Sequence, residues 1–210
     1  GHEPIYRADQ NLGDVLKCVK NFDQTRVRDL HGFDGFAGQG QSQAKMRSQG
    51  YTCARMELLD DPENDILCKT GFYRFLECCL CLVAGGLALF GPPCSLFIYM
   101  SSSKHRRNKK RPAGNESDAD VHRANCIVFN LPVILVILIV RGVCWLVEQP
   151  GSSFMFALTA FHLLLEHLGL KYVWTWMISF GDENPKPTKL MSYGRRWEVL
   201  KRKYNKKKYR

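Results

Sequence analysis

The sequence predicts an α/β protein with a mostly parallel sheet and helices on both faces. Three observations lead there. Short apolar segments alternate along the chain with longer amphipathic or polar stretches, the pattern of strand–helix units. Two of those segments stop at prolines, in Gly91-Pro92-Pro93-Cys94 and in Val147-Glu148-Gln149-Pro150. Proline cannot donate to a ladder, so each chain must leave the sheet at that point. Finally, 210 residues with 45% hydrophobic content suit one domain with a sizeable core.

Taken in order, residues 11–22 read as a short helix and 26–36 as a strand entering a glycine-rich turn. Residues 41–49 are polar and free of breakers, and open a helix. A second strand follows over 51–58, then the loop Asp60-Asp61-Pro62-Glu63-Asn64-Asp65. Residues 70–83 form a helix with an apolar face, and 86–90 a short buried strand. Residues 104–120 are polar and read as a mobile loop. A long helix spans 121–140 until Gly142 breaks it, and 143–147 is a further buried strand. A helix over 154–168 and strands over 171–179 and 189–192 complete the pattern. The organisation expected is an N-terminal extension (1–27), one domain (28–194) with a basic insert (101–120), and a basic tail (195–210).

Charge is placed unevenly. Residues 104–111 hold six Lys/Arg, and 195–210 hold nine with one acid, Glu198. The rest of the chain carries 15 basic against 19 acidic residues, a net −4, although the whole chain is +10. Such runs attract phosphate backbones or anionic membranes. Tyr204 and Tyr209, set among the tail lysines, favour nucleic acid because they can stack on bases.

The nine cysteines are odd in number, and Cys78, Cys79, Cys81, Cys126 and Cys144 lie inside apolar runs. That pattern indicates buried thiols in a reducing compartment rather than a disulfide framework or a zinc site. Gly1 in place of an initiating Met suggests a processed product, and no signal-peptide pattern is read there.

A membrane reading competes. Residues 76–100 carry one charge, Glu77, and 125–147 carry one, Arg141, so both runs meet the roughly 20-residue length of a span. The basic loop between them would then face the cytoplasm. Against this, Gly85-Gly86, Gly91-Pro92-Pro93 and Arg141-Gly142 divide the runs where helix–strand boundaries are expected. Buried parallel strands give the same apolar signal.

Three landmarks carry chemistry. Asp34-Gly35-Phe36-Ala37-Gly38-Gln39-Gly40 lies between a strand and a helix, where glycines let the backbone approach a ligand at a helix N-terminus. Glu57, at the end of the next strand, stands where an acid accepts ribose hydroxyls in nucleoside-binding α/β domains, and Asp65-Ile66 follows on the next loop. Cys94 presents a thiol on the turn after a buried strand, and Glu148 an acid at the end of another. A nucleophile and a proton donor at one sheet edge suit covalent catalysis.

In this order the motifs resemble the catalytic domain of the DNA (cytosine-5) methyltransferases, most of all the short divergent versions in algal, protist and retroelement-like proteins. The resemblance covers roughly residues 28–192. It implies a Rossmann-like class I methyltransferase sheet that binds S-adenosylmethionine along Phe36, Gly38 and Gly40, with Glu57 on the ribose and Asp65 and Ile66 near adenine. It implies Cys94 as the nucleophile for C6 of cytosine, and Glu148 at N3 and the exocyclic amine of a base drawn out of its stack. Contacts to DNA or RNA fall to Lys104, Arg106, Arg107, Lys109, Lys110 and Arg111 of the insert, to Lys186 and Lys189, and to Lys206, Lys207 and Lys208 of the tail.

The chain departs from that pattern in four places. Ser95 follows the cysteine where the family has Gln, and Gln149-Pro150 replaces Asn-Val. Lys186 and Lys189 stand where the family has an arginine pair, and lysine lacks the planar fork. No target-recognition region or closing helix is read. The basic insert occupies the place of the family's catalytic loop. Two alternatives therefore stand beside the enzyme. One is a non-catalytic subunit of a nucleoprotein or organellar assembly that kept the fold, and the other is a two-span membrane protein.

Overall fold

The computed structural model describes residues 19–20, 22, 28–180, 182–194 and 197–203. Six strands form one sheet: β1 (Leu30–Gly35), β2 (Cys53–Met56), β3 (Leu82–Phe90), β4 (Cys144–Pro150), β5 (Lys171–Trp176) and β6 (Pro187–Tyr193). Their spatial order is β2-β1-β3-β4-β6-β5. The pairs β1–β2, β1–β3 and β3–β4 are parallel. The pairs β4–β6 and β5–β6 are antiparallel, so the sheet is mixed rather than mostly parallel throughout. Connection length explains the correction. Only residues 177–186 link β5 to β6, and a parallel crossover needs a dozen residues or more.

Side-chain alternation sorts the two faces. Phe33, Ala88, Phe90, Trp145, Val147 and Met191 point into the main core. Against them pack α2 (Lys69–Leu80), through Phe75 and Leu76, and α5 (Leu131–Val140), through Leu135 and Leu138. The helix α6 (Thr159–His167) adds Phe161 and Leu164 to the same core. On the opposite face, α1 (Gln41–Ser48) lies across β1 and β2. There Gly32 leaves room for Met46, whose sulfur stands 2.6 Å from where a Cβ would be. Farther along that face, Leu146, Val173 and Leu190 are covered by Trp197 and Leu200 of a short 3-10 turn.

Three boundaries differ from expectation for local reasons. β3 begins at Leu82 rather than at residue 86, because the chain bulges at Gly85, which has φ 77° and donates to the Gly142 carbonyl at 2.8 Å. The expected helix over 121–140 is two helices, α4 (Ala119–Phe129) and α5. They divide at Asn130, just before Pro132, which has no N–H for the ladder. The insert is not a plain loop: it holds a short helix, α3 (Ser102–His105), and a buried arginine described below.

Both long apolar runs divide between helix and strand. Residues 76–100 pass from α2 through β3, at the middle of the sheet, to the turn at Cys94. Among the described residues, one helical stretch, Ala119–Val140, is long and apolar enough to cross a membrane. Over its most apolar 18 residues the mean hydropathy is 2.2, and 44% of that window is buried in the protein.

Candidate functional site

The chain steps from β1 to β2 on one side and then returns to β3 on the other. Strand order therefore reverses between β1 and β3. In open α/β sheets a crevice forms outside the carboxyl ends of the strands at such a point, and ligands bind there.

The glycine loop builds one wall. Phe36 adopts a left-handed φ of 60°, and its N–H donates to the Met56 carbonyl at 3.0 Å, which ties the loop to the end of β2. Gly38, at φ 51°, has no heavy atom within 4 Å of where a Cβ would sit. Its N–H donates to Glu57 Oε2 at 2.8 Å, joining the glycine loop to the strand-end acid. Asn64 Nδ2 donates to the Glu57 carbonyl at 3.0 Å and fixes the next loop against the same residue. Asp65 is oriented from both sides. Oδ1 accepts from the Leu67 N–H at 2.9 Å, and Oδ2 pairs with Arg123 of α4 at 2.7 Å.

Phe36, Gly38, Glu57, Asp65 and Ile66 line one cavity of about 270 Å³, together with Pro93. Gly40 is not among its lining residues; it caps α1 in a left-handed conformation with φ 67°.

A second cavity, of about 490 Å³, adjoins the first and shares Phe36 and Gly91 with it. Leu87, Leu89, Leu146 and Leu190 form its apolar floor, and Glu148 and Asp34 supply its carboxyls. Asp34 is buried, which pushes its carboxyl up, although it accepts the Gln43 N–H of α1 at 3.2 Å. Asp34 is not among the site residues that the sequence motifs point to. Its one signal was its place at the head of the glycine motif.

Cys94 lines neither cavity, although its neighbour Pro93 lines the first. The thiol is half-buried. Burial pushes it up; the Lys186 ammonium pulls it down, and the Glu148 carboxylate pushes it up again. Lys186 and Glu148 pair with each other at 3.2 Å. Thiol, ammonium and carboxylate thus form one electrostatic group, which meets the second cavity through Glu148.

The turn that carries Cys94 has a support the sequence did not reveal. Gln149 is fully buried and donates from Nε2 to the Pro92 carbonyl at 2.7 Å. Ser153 Oγ in turn donates to Gln149 Oε1 at 2.8 Å. Gln149 follows Glu148 on β4, so one strand end supplies both the carboxylate and the brace for the thiol's turn.

The basic residues separate into three groups. Lys104, Arg106, Lys109, Lys110 and Arg111 are exposed on the insert, Lys186 is exposed beside Glu148, and Lys189 is half-buried on β6. Arg107 is a correction: it is 2% exposed and faces inward. Its guanidinium donates to the Pro112 carbonyl at 2.6 Å and to Asn125 Oδ1 at 2.9 Å, and lies 4.1 Å from the Phe97 ring centroid. Burial pulls it down to about 10. Arg107 therefore anchors the insert and is not placed for a phosphate. Lys206, Lys207 and Lys208 lie outside the described residues.

No family model matches this chain. No curated protein matches it either.

Proposed function

We propose that this chain is a methyltransferase-like domain of the Rossmann-like class I type, which binds S-adenosylmethionine and acts on cytosine in nucleic acid. One observation carries the reading. Five residues chosen from sequence motifs spread over residues 36–66 line a single cavity at the strand-order reversal, and that cavity adjoins the one holding Glu148.

The residues fit the cofactor. The open space at Gly38 lets backbone approach a ligand, and Glu57 and Asp65 offer carboxylates for ribose and adenine groups. Together the two cavities fall within the roughly 300–1,000 Å³ of small-molecule sites. When bound, the cofactor supplies an electrophilic methyl group. Cytosine C5 is too weak a nucleophile to accept that methyl unaided. The Cys94 thiolate adds at C6, and a proton delivered by Glu148 at N3 takes up the charge that develops in the ring. C5 is then electron-rich. It takes the sulfonium-bound methyl, the S–CH3 bond breaking to leave a neutral thioether; loss of the C5 proton to solvent, return of the N3 proton to Glu148 and departure of Cys94 as thiolate then restore the ring. Lys186 must leave Glu148 before a base edge can take its place.

Labelled methyl transfer to cytosine-containing single- and double-stranded DNA and RNA tests this. Transfer is expected with the native chain and is abolished by Cys94→Ser. Equal activity in that variant refutes the nucleophile. A second reading, a non-catalytic subunit with the same fold, is favoured by the raised Cys94 thiol and by the Lys186 contact on Glu148. It predicts no transfer to any of these substrates.

A further inference from the structure

The amino-terminal end of β3 carries three cysteines that the candidate site does not use. Cys78, Cys79 and Cys81 close α2 and lead into the strand. Cys94 stands past the other end of β3, on the order of 25 Å away along the strand. Cys79 is fully buried in the core, whereas Cys78 and Cys81 are half-buried thiols.

Helix geometry sets Cys78 beside Cys81. The Cys81 N–H donates to the Glu77 carbonyl at 2.9 Å, and its backbone stays in the right-handed helical region, with φ −79° and ψ −6°. The helical spacing therefore runs through it. Residues three apart share one side of a helix. Their Cα atoms lie about 5 Å apart, inside the roughly 4.4–6.8 Å that a disulfide spans.

Arg141, at the end of α5, distinguishes the two thiols. Its Nη2 donates to the Leu80 carbonyl at 2.6 Å and to the Leu82 carbonyl at 3.2 Å, so the guanidinium straddles Cys81. Its buried Nε–H has no acceptor among the described residues and is left for an anion formed beside it. Burial and then Arg28 pull the guanidinium down, while Cys81 and Cys79 pull it up, as neighbours that ionise to anions do. Burial, followed by the charge of Cys81, pushes Cys78 up to about 11. A cation favours thiolate, and thiolate is the reactive form. Cys81 is therefore the attacking sulfur, and Cys78 is the thiol held next to it.

We propose that Cys81 and Cys78 are a hydroperoxide-reactive dithiol that closes reversibly to a disulfide. The Cys81 thiolate attacks the terminal oxygen of the hydroperoxide. An S–O bond forms, the O–O bond breaks, and the other oxygen leaves as alkoxide, or as hydroxide from hydrogen peroxide. Cys81 is oxidised to a sulfenic acid and the peroxide is reduced. The Cys78 sulfur then attacks the Cys81 sulfur. The S–S bond forms, the S–O bond breaks, and the departing hydroxide takes the Cys78 proton as water. A small thiol reopens the bridge by exchange, as a reducing compartment requires. Neither thiol lines either candidate cavity, so this chemistry is independent of the methyltransferase reading.

Differential labelling of the full chain tests the proposal. The reduced protein is exposed to a small molar excess of hydrogen peroxide and denatured, and its remaining thiols are blocked with N-ethylmaleimide. Thiols then released by reduction are labelled with iodoacetamide and located by mass spectrometry. The iodoacetamide labels are expected on Cys78 and Cys81, with Cys79 and Cys94 blocked. In Cys78→Ser, Cys81 is expected to stop at the sulfenic acid, which dimedone traps. In Cys81→Ser, Cys78 is expected to stay reduced. Arg141→Gln is expected to slow the oxidation about tenfold, since it removes the cation beside the thiolate. Arg141→Lys keeps the charge and is expected to retain most of the rate. Cys78→Ser leaves Arg141 and its carbonyl contacts in place, so the dimedone test stands even if Arg141→Gln does not fold. The proposal is overturned if no bridge forms, or if Cys79 or Cys94 is oxidised first. It is also overturned if Cys78 oxidises as fast in Cys81→Ser, or if folded Arg141→Gln oxidises as fast as the native chain.

Discussion

At Cys94 three influences compete, and their signs make a direct prediction. Burial raises the thiol above the ordinary range, Lys186 lowers it and Glu148 raises it. A thiol reacts as thiolate, so alkylation of Cys94 should quicken with pH, with a midpoint above the roughly 8.5 of a free cysteine. A nearby cation favours the anion. Lys186→Ala should therefore push the midpoint higher and slow alkylation at pH 8, whereas Glu148→Gln should do the reverse. Mass spectrometry of the Cys94 peptide after timed iodoacetamide exposure reads this, and an unchanged midpoint in both variants would show that the three groups do not interact. In the transfer reaction, Glu148→Gln is expected to lose roughly 10²–10⁴ in rate, because it removes the proton donor.

At the scale of the element, β4 and the insert owe their form to buried polar groups rather than to pattern. Gln149→Leu leaves the Pro92 carbonyl and Ser153 Oγ without their partner in a dry site. The expected cost is about 1–3 kcal/mol, seen as a lowered Tm together with slower Cys94 chemistry. A Tm equal to the native value would mean that water replaces the amide. Arg107→Met should lower Tm because it empties the Pro112 and Asn125 contacts, whereas Lys104→Met at the exposed end of the same insert should leave the unfolding free energy within about half a kcal/mol of native. Neither role was legible beforehand. Gln149 read as a mere departure from a motif. Arg107 sat in a charge run whose composition is that of a solvated loop, and its partners Phe97 and Asn125 lie elsewhere in the chain.

Over the whole molecule, periodicity and breakers placed the strands and most of the helices, because apolar alternation and proline stops act locally. What they could not give was strand direction. β6 looks like any short apolar strand, and its reversal follows from the short link after β5 and from its place between β4 and β5. The candidate site was more legible than the sheet's direction. Glu57, Asp65 and Ile66 were assigned from their order along the chain, and they meet the glycine loop at one cavity. Cys94 and the Gly40 position were less so, since which residues of a turn face a cavity depends on the turn's own geometry. The fold therefore brings two adjoining hollows, a thiol and a carboxylate to the carboxyl edge of one sheet, with Lys186 paired to Glu148 and Arg123 to Asp65.

The central claim is that the hollow lined by Glu57 holds S-adenosylmethionine, and calorimetric titration of the full chain with the cofactor tests it most directly. Saturable heat is expected, weakened at least tenfold in Glu57→Ala, which loses the ribose acid, and nearly unchanged in Cys94→Ser. Absence of heat at millimolar cofactor, or equal binding in Glu57→Ala, would contradict the account.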